Sequence, residues 1–167
     1  MKRRVVLKGD ELRRDALIAQ LVAARKLIVE TASRISPELE DEIFLGEWSA
    51  RDLVAHLIGW DYTYIAAIED LMGGQLPAFY ALYDADWTSL NWQFVRQYGK
   101  GSLAELLAAA RQSHRQLLDF LQTIPTSDFD KDQGVRHNGA PVTIVGLLQA
   151  EVKDEKVHYQ QLQEWLE

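Results

Sequence analysis

The chain contains no cysteine, and this absence removes several kinds of chemistry. The 167 residues cannot form a disulfide, a thiolate metal site or a cysteine nucleophile. Side-chain ligands for a metal would have to come from carboxylates and from the four histidines. The sequence also lacks an apolar run long enough to span a bilayer, and Val5–Leu7 is too short for a secretory signal. We therefore expect a cytoplasmic protein that does not enter a membrane.

The chain also has fewer basic than acidic residues. The chain has 18 Lys and Arg against 25 Asp and Glu, which gives a formal net charge of −7. Because binding to duplex nucleic acid depends mostly on cations that meet phosphates, we expect no nucleic-acid partner. The remaining composition, 47% hydrophobic and 26% charged, is that of a globular protein. The length suits one domain, which we expect to cover residues 1–167.

Apolar residues recur at helical spacing in four long segments. Serine caps mark two of the helix starts, "SARD" at 49–52 and "SLAE" at 102–105. "SP" at 36–37 ends the first helix, and "GG" at 73–74 ends the second. The predicted helices cover residues 10–34, 49–72, 102–121 and, from a start near 141–143, the segment to 166. No strand of regular alternation is present, so the sequence predicts an all-α four-helix bundle.

A long connection, residues 73–101, joins the second and third predicted helices. A loop of that length without structure would be unusual, so we expect "DWTSLNWQFVRQYG" to supply a short extra helix. Aromatic residues crowd positions 79–94, where they could form a lid over the bundle or the wall of a pocket for a small organic molecule. Asp61, Asp84 and Asp86 could add polar contacts to such a wall, although charged residues are more often solvated. The candidate ligand-binding residues are Trp60, Tyr64, Tyr83, Trp87 and Trp92.

Three polar side chains share the apolar faces of the second and fourth predicted helices. His56 continues a stripe on the second helix, and Asp154 and His158 are one turn apart on the fourth. Two imidazoles and a carboxylate can hold zinc, nickel or iron and leave positions open for water or substrate. The alternative is a hydrogen-bonded core histidine and an ordinary Asp–His contact. His114, without a partner one turn away, and His137, in a loop, stay outside this metal set.

Three stretches of the sequence resemble one known family. "GEWSARDLVAHLIGWD" is similar to the helix-two signature of the DinB-like four-helix-bundle superfamily, which includes the DinB/YfiT-like proteins. "LNWQFVRQYGKGSLAELLAAARQSHRQLLDFL" and "APVTIVGLLQAEVKDEKVHYQQLQEWL" resemble the lid and the last helices of its ClbS/DfsB-type branch. The resemblance covers residues 10–166.

The resemblance implies a ligand set. Many DinB-like proteins bind a divalent metal through one histidine on helix two and an H-x-x-x-H pair on the last helix. These positions carry over to His56, to His158 and to Asp154, where the commoner family residue is histidine. Related thiol-dependent isomerases place an acid four residues before the histidine. Glu151 and Glu155 lie within one turn of the pair, as candidates for an outer hydrogen-bonding role or for a general base.

The resemblance also implies an activity. We expect a pocket for a small organic molecule and a divalent-metal-dependent hydrolase or thiol transferase that acts in detoxification or self-protection. Two alternatives stay open: a metal-free protein that binds or sequesters a small molecule, and a structural module that forms a homodimer through its apolar faces.

Overall fold

The computed structural model describes residues 9–167, apart from the side chains of Asp10, Leu12 and residues 83–85. The segment Val5–Leu7 therefore lies outside the described residues. The helices of the described part are α1 (Gly9–Ala32), α2 (Ala50–Met72), α3 (Phe79–Tyr98), α4 (Leu103–Thr123) and α5 (Ile144–Leu166). The remaining elements are two antiparallel hairpins and a 3-10 turn: β1 (Ile43–Leu45) with β2 (Trp48–Ser49), β3 (Arg136–His137) with β4 (Ala140–Pro141), and Thr126–Asp128.

Four of the helices form the predicted bundle. Helix α1 packs against α5, and α2 packs against α4. The fifth helix, α3, packs against α2 on the outside of this arrangement. The all-α prediction is confirmed, because the strands are only two or three residues long. Within residues 9–167, no helix combines the length and the apolar character that a bilayer crossing requires.

The predicted serine caps begin α2 and α4 as expected. The Ser49 hydroxyl accepts a hydrogen bond from the Asp52 backbone N–H, and the Asp52 carboxylate accepts one from the Ser49 N–H. Ser102 and Glu105 form the same reciprocal pair at the start of α4. Each box satisfies two backbone donors that would otherwise lack a partner. The bounds of α2 and α4 are therefore fixed by local sequence.

Helix α3 is longer than the short helix that we predicted in the connection. It spans 20 residues and contains one break at Asp86, where the backbone leaves helical geometry. The Asp86 carboxylate accepts hydrogen bonds from the backbone N–H and the hydroxyl of Ser89. Asp86 thus caps the second half of α3, and it does not supply the polar pocket contact considered above. The connection is two helical segments joined at a cap.

The core divides into two apolar clusters that occupy successive stretches of the same helices. On α1, Leu21 belongs to one cluster and Ile28 to the other, and the buried Arg25 lies between them. On α4, Ser113 and His114 are the buried polar residues between the two clusters. Each bundle helix contributes to this middle layer, whose buried polar members are Arg25, His56, Asp61, Ser113, His114, Glu151, Glu155 and His158.

Candidate metal centre and aromatic pocket

The three predicted metal ligands meet in the middle layer. One donor atom from each of His56, Asp154 and His158 lies within 4.8 Å of the other two. The Asp154 Oδ2 atom is 3.3 Å from His158 Nε2 and 3.6 Å from His56 Nε2. Donor atoms on one tetrahedral zinc at about 2.1 Å stand roughly 3.4 Å apart. The two distances from Asp154 are close to this spacing.

His56 is the most deeply buried member of the cluster. It is 2% exposed, and neither of its ring nitrogens forms a hydrogen bond with a described residue. The rings of Trp48, His158 and Trp60 surround it, with centroids 4.8, 5.1 and 6.2 Å away. Burial lowers its pKa, and the Asp154 carboxylate, 3.6 Å from Nε2, does not fully offset this effect. The neutral imidazole therefore keeps a lone pair available.

His158 is oriented by a residue on its own helix. Its Nδ1 atom is 2.9 Å from the Gln161 side-chain oxygen, an acceptor, so Nδ1 carries the proton and donates it. The Nε2 atom then faces Asp154. Burial would lower the pKa of His158, but the hydrogen bond and charge of Asp154 outweigh it and raise the pKa. An outer acceptor that fixes the histidine tautomer is typical of metal sites.

Asp154 completes the donor set from the solvent side. Its side chain is 46% exposed, and the neighbouring His158 and His56 outweigh the effect of burial and lower its pKa. The cluster thus offers two imidazole nitrogens and an ionised carboxylate. This donor set fits zinc, nickel or iron(II), and three protein ligands leave coordination positions open. Neither His56 nitrogen forms a hydrogen bond with a described residue, so a bound ion would give this buried polar group the partner it lacks.

A cavity of about 350 Å³ lies beside the cluster. His56, Asp154 and Glu151 contribute polar atoms to its wall, and aromatic side chains dominate the remainder. The Phe79 and Tyr80 rings stack with centroids 4.4 Å apart, and Tyr80 contacts the His137 ring at 4.3 Å. The lining residues are His56, Trp60, Tyr64, Phe79, Tyr80, Trp87, His137, Gly146, Leu147, Ala150, Glu151 and Asp154. The volume and the lining suit a small organic molecule.

The candidate ligand-binding residues fall into three groups. Trp60, Tyr64 and Trp87 line the cavity. Trp92 does not; it packs edge-on against Trp48, with centroids 6.2 Å apart, and so supports a neighbour of His56. The Tyr83 side chain lies outside the described residues, as does that of Asp84. Sequence reasoning placed Phe79 and Tyr80 in the aromatic lid without selecting them as ligand contacts.

The two candidate bases occupy different surroundings. Glu151 lines the cavity, and its Oε1 atom forms no hydrogen bond with a described residue. Burial and the charge of Glu155 raise the pKa of Glu151 well above its usual value. Glu155 instead accepts hydrogen bonds from Nε and Nη2 of Arg25. Because Glu155 is bound to Arg25 and absent from the cavity wall, the structure does not support it as a base for a substrate.

Arg25 was missed as a functional candidate, although it lies on an apolar stripe of α1. Its Nη1 and Nη2 donate to the two Asp61 carboxylate oxygens at 2.8 and 3.0 Å. Ser113 donates to Asp61 Oδ2 at 2.6 Å, and His114 Nδ1 is 3.5 Å from Oδ1. Burial would raise the pKa of Asp61, but the charges and hydrogen bonds of Arg25 and His114 together outweigh it and lower the pKa. Asp61 therefore belongs to this network and not to the aromatic wall.

The other two histidines also have defined surroundings. His114, which we left outside the metal set, is buried on α4 and faces Asp61. His137 lies on β3, lines the aromatic cavity and contacts the Tyr80 ring. A turn prediction alone gave no reason to place His137 at the pocket. The basic residue on an apolar helix face was the one signal that could have revealed Arg25.

Comparisons with known proteins identify relatives of the fold. The family model for the DinB superfamily matches residues 20–162. No curated protein matches the chain. The colibactin self-resistance protein ClbS, solved in complex with a dsDNA, aligns with a TM-score of 0.76 at 19% identity over 92% of this chain and 95% of that one.

Two further solved structures have the same fold. Sibling Lethal Factor Precursor, DfsB, has a TM-score of 0.72 at 19% identity and covers 91% of this chain and 94% of its own. An uncharacterized protein from Clostridium difficile 630 has a TM-score of 0.75 at 15% identity, with 97% of both chains covered. At these identities the similarity shows the fold alone. ClbS and DfsB have the fold that the predicted resemblance to the ClbS/DfsB-type branch implies.

Proposed function

The chain belongs to the DinB superfamily, and we propose that its His56, Asp154 and His158 bind a divalent cation for the hydrolysis of a small organic molecule. The observation that carries this proposal is His56: at 2% exposure neither of its nitrogens forms a hydrogen bond with a described residue, and two other donor groups lie beside it. Zinc, nickel or iron(II) in this position would act as a Lewis acid and make a water molecule more acidic. The same set would serve a thiol transferase.

The chain's own residues would divide the remaining work. Trp60, Tyr64 and Tyr80 would hold the apolar body of the substrate and exclude water from it. Glu151 reaches the same cavity, and its raised pKa makes it a stronger base than an ordinary glutamate, which suits the general-base role. Glu155 would act indirectly, because its hydrogen bonds hold Arg25 close to Glu151.

The proposed role is protection against a reactive small molecule in the cytoplasm, by a single domain of residues 1–167. The relative ClbS is a colibactin self-resistance protein, which supports this choice. That relative was solved with a dsDNA, which bears against our expectation of no nucleic-acid partner. The net charge of −7 still favours a small-molecule substrate over a duplex. A gel-shift titration with dsDNA checks this expectation.

A metal-free binding protein is the second candidate. The Asp154–His158 contact at 3.3 Å favours it, because an imidazolium and a carboxylate satisfy each other without an ion. On that reading, chelation leaves the affinity for a small molecule unchanged. The structural-module alternative required no pocket, and the described residues form one of about 350 Å³.

Thermal unfolding with added zinc separates the first two candidates. An ion that binds only the folded state increases the free energy of unfolding by about 2.7 kcal/mol when its concentration is 100 times its Kd. The Tm rises as a result. We expect zinc to raise the Tm of the parent and of His137→Ala, and a chelator to reverse the rise. His158→Ala should show no rise. A zinc effect that is equal in parent and His158→Ala, or absent from the parent, contradicts the metal proposal.

A further inference from the structure

The middle layer of the bundle holds more buried acids than buried Lys or Arg residues. Asp61, Glu151 and Glu155 are each at most 2% exposed, whereas Arg25 is the one buried Lys or Arg among the described residues. Arg25 forms hydrogen bonds with Asp61 and Glu155. Its nearest approach to Glu151 is 3.8 Å, beyond hydrogen-bond distance. Glu151 is therefore the acid that this guanidinium leaves without a hydrogen bond.

Glu151 is also the acid of this group that reaches the cavity. Asp61 and Glu155 do not line it, and Asp154, which does, belongs to the proposed metal cluster. None of the described residues in the cavity wall is Lys or Arg. An anionic ligand would find no fixed cation among them other than a bound metal. A positively charged group would find a buried carboxyl that Arg25 approaches only to 3.8 Å.

The rest of the wall also favours a cation. The rings of Trp60, Tyr64, Phe79, Tyr80 and Trp87 line the cavity. Ammonium groups are attracted to aromatic faces, most strongly where water is excluded. Burial raises the pKa of Glu151 and favours the neutral acid, whereas a cationic ligand beside it would favour the carboxylate. Aromatic faces and one buried acid are how proteins recognise organic ammonium ions.

We propose that this cavity selects organic molecules that carry a protonated amine on an apolar body, with the ammonium group held by Glu151 and the aromatic wall. The proposal rests on the proposed function only in taking this cavity as the substrate site. It names a substrate class and does not depend on a metal at the His56 cluster.

A trio of probes of similar size and different charge tests the selectivity. Phenethylamine is cationic near neutral pH, 2-phenylethanol is neutral, and phenylacetate is anionic. Their dissociation constants are measured by tryptophan fluorescence on the full chain, because Trp60 and Trp87 line the cavity. We expect the amine to bind at least about tenfold more tightly than the alcohol, and the anion most weakly.

Variants of Glu151 and Tyr80 test whether the preference for the amine arises in this cavity. Glu151→Gln keeps the shape and removes the charge, so it should abolish the amine preference and change the affinity for the alcohol less than about threefold. Glu164→Gln, an exposed position on the same helix, is the matched control and should keep the preference. Tyr80→Leu is a second route if Glu151→Gln fails to fold; it removes an aromatic face and should weaken the amine more than the alcohol.

The outcomes separate this proposal from the metal proposal when zinc-loaded and chelator-treated protein are compared. An amine preference in a chain that takes up no zinc supports the cation pocket and overturns the metal centre. Stoichiometric zinc with equal affinity for amine and alcohol overturns the cation pocket alone. The pocket proposal is also overturned if none of the three probes binds, or if Glu151→Gln retains the amine preference.

Discussion

Arg25 neutralises the centre of the bundle, where its side chain is 3% exposed and contacts Asp61 and Glu155. Arg25→Met keeps much of the side-chain volume and leaves those two carboxylates buried without a cation. Loss of one partner from a buried ion pair typically costs about 3–5 kcal/mol. We expect the free energy of unfolding to fall by about that amount, measured by urea denaturation.

The exposed Arg13 provides the comparison for this prediction. Its side chain is 73% exposed and pairs with Asp130 at 3.1 Å. Exposed pairs contribute little, because water and salt screen them. Arg13→Met should therefore have a much smaller effect than Arg25→Met. Equal losses in the two variants would show that the Arg25 network is not the buried electrostatic centre described here.

Glu151 gives the protein a pH dependence whose direction follows from its raised pKa. Below the ordinary value of 4.5, the folded and unfolded states both hold the proton. Above it, the unfolded state releases the proton while the folded state keeps it, so this group lowers stability as pH rises. Glu151→Gln has no such proton. The variant should gain stability relative to the parent between about pH 5 and about pH 8.

Urea denaturation at both pH values, with Glu164→Gln beside the parent, measures this gain. The exposed control should differ from the parent by the same small amount at each pH. If the Glu151→Gln difference did not change with pH, or changed in the opposite direction, Glu151 would not be a buried neutral acid in the folded protein.

At the scale of the elements, α2 and α3 can approach closely because Gly59 has no side chain. A Cβ atom at Gly59 would lie 2.2 Å from Phe94 Cγ, far inside contact distance. Gly59→Ala should therefore push α3 away from α2 and cost about 1–3 kcal/mol of stability, measured by urea denaturation. Because α3 carries Phe79, Tyr80 and Trp87, the pocket wall should loosen as well.

A second substitution checks the cause. Phe94→Leu in the Gly59→Ala background removes part of the ring that the new methyl group meets. Gly59→Ala should cost less stability when it is added to Phe94→Leu than when it is made in the parent. Strictly additive losses would mean that the Gly59 contact with Phe94 does not set the distance between the two helices.

Local signals explain which elements were predictable. The capping boxes at Ser49 and Ser102 are complete within four residues, so the starts of α2 and α4 could be predicted from sequence. The length of α3 could not, because its break at Asp86 divides the periodic pattern into two short pieces. A cap that restarts a helix is difficult to distinguish in sequence from a residue in a loop.

At the scale of the whole molecule, the middle layer was predictable only in part. His56, Asp154 and His158 could be grouped because a helix face and an i,i+4 spacing are properties of single helices. The Arg25 network draws Asp61 from α2 and partners from two further helices, and single-helix periodicity does not show which residues meet across a bundle. The metal role of the grouped residues stays a prediction.

The most direct test of the account is the metal content of the untagged protein after zinc loading and desalting, beside a His56→Ala/His158→Ala double variant and the His137→Ala control. Elemental analysis should give about one equivalent of zinc in the parent and in His137→Ala, and none in the folded double variant. A parent without metal, or a folded double variant with as much zinc as the parent, would contradict the central claim. His56 would then be a buried histidine with some other role.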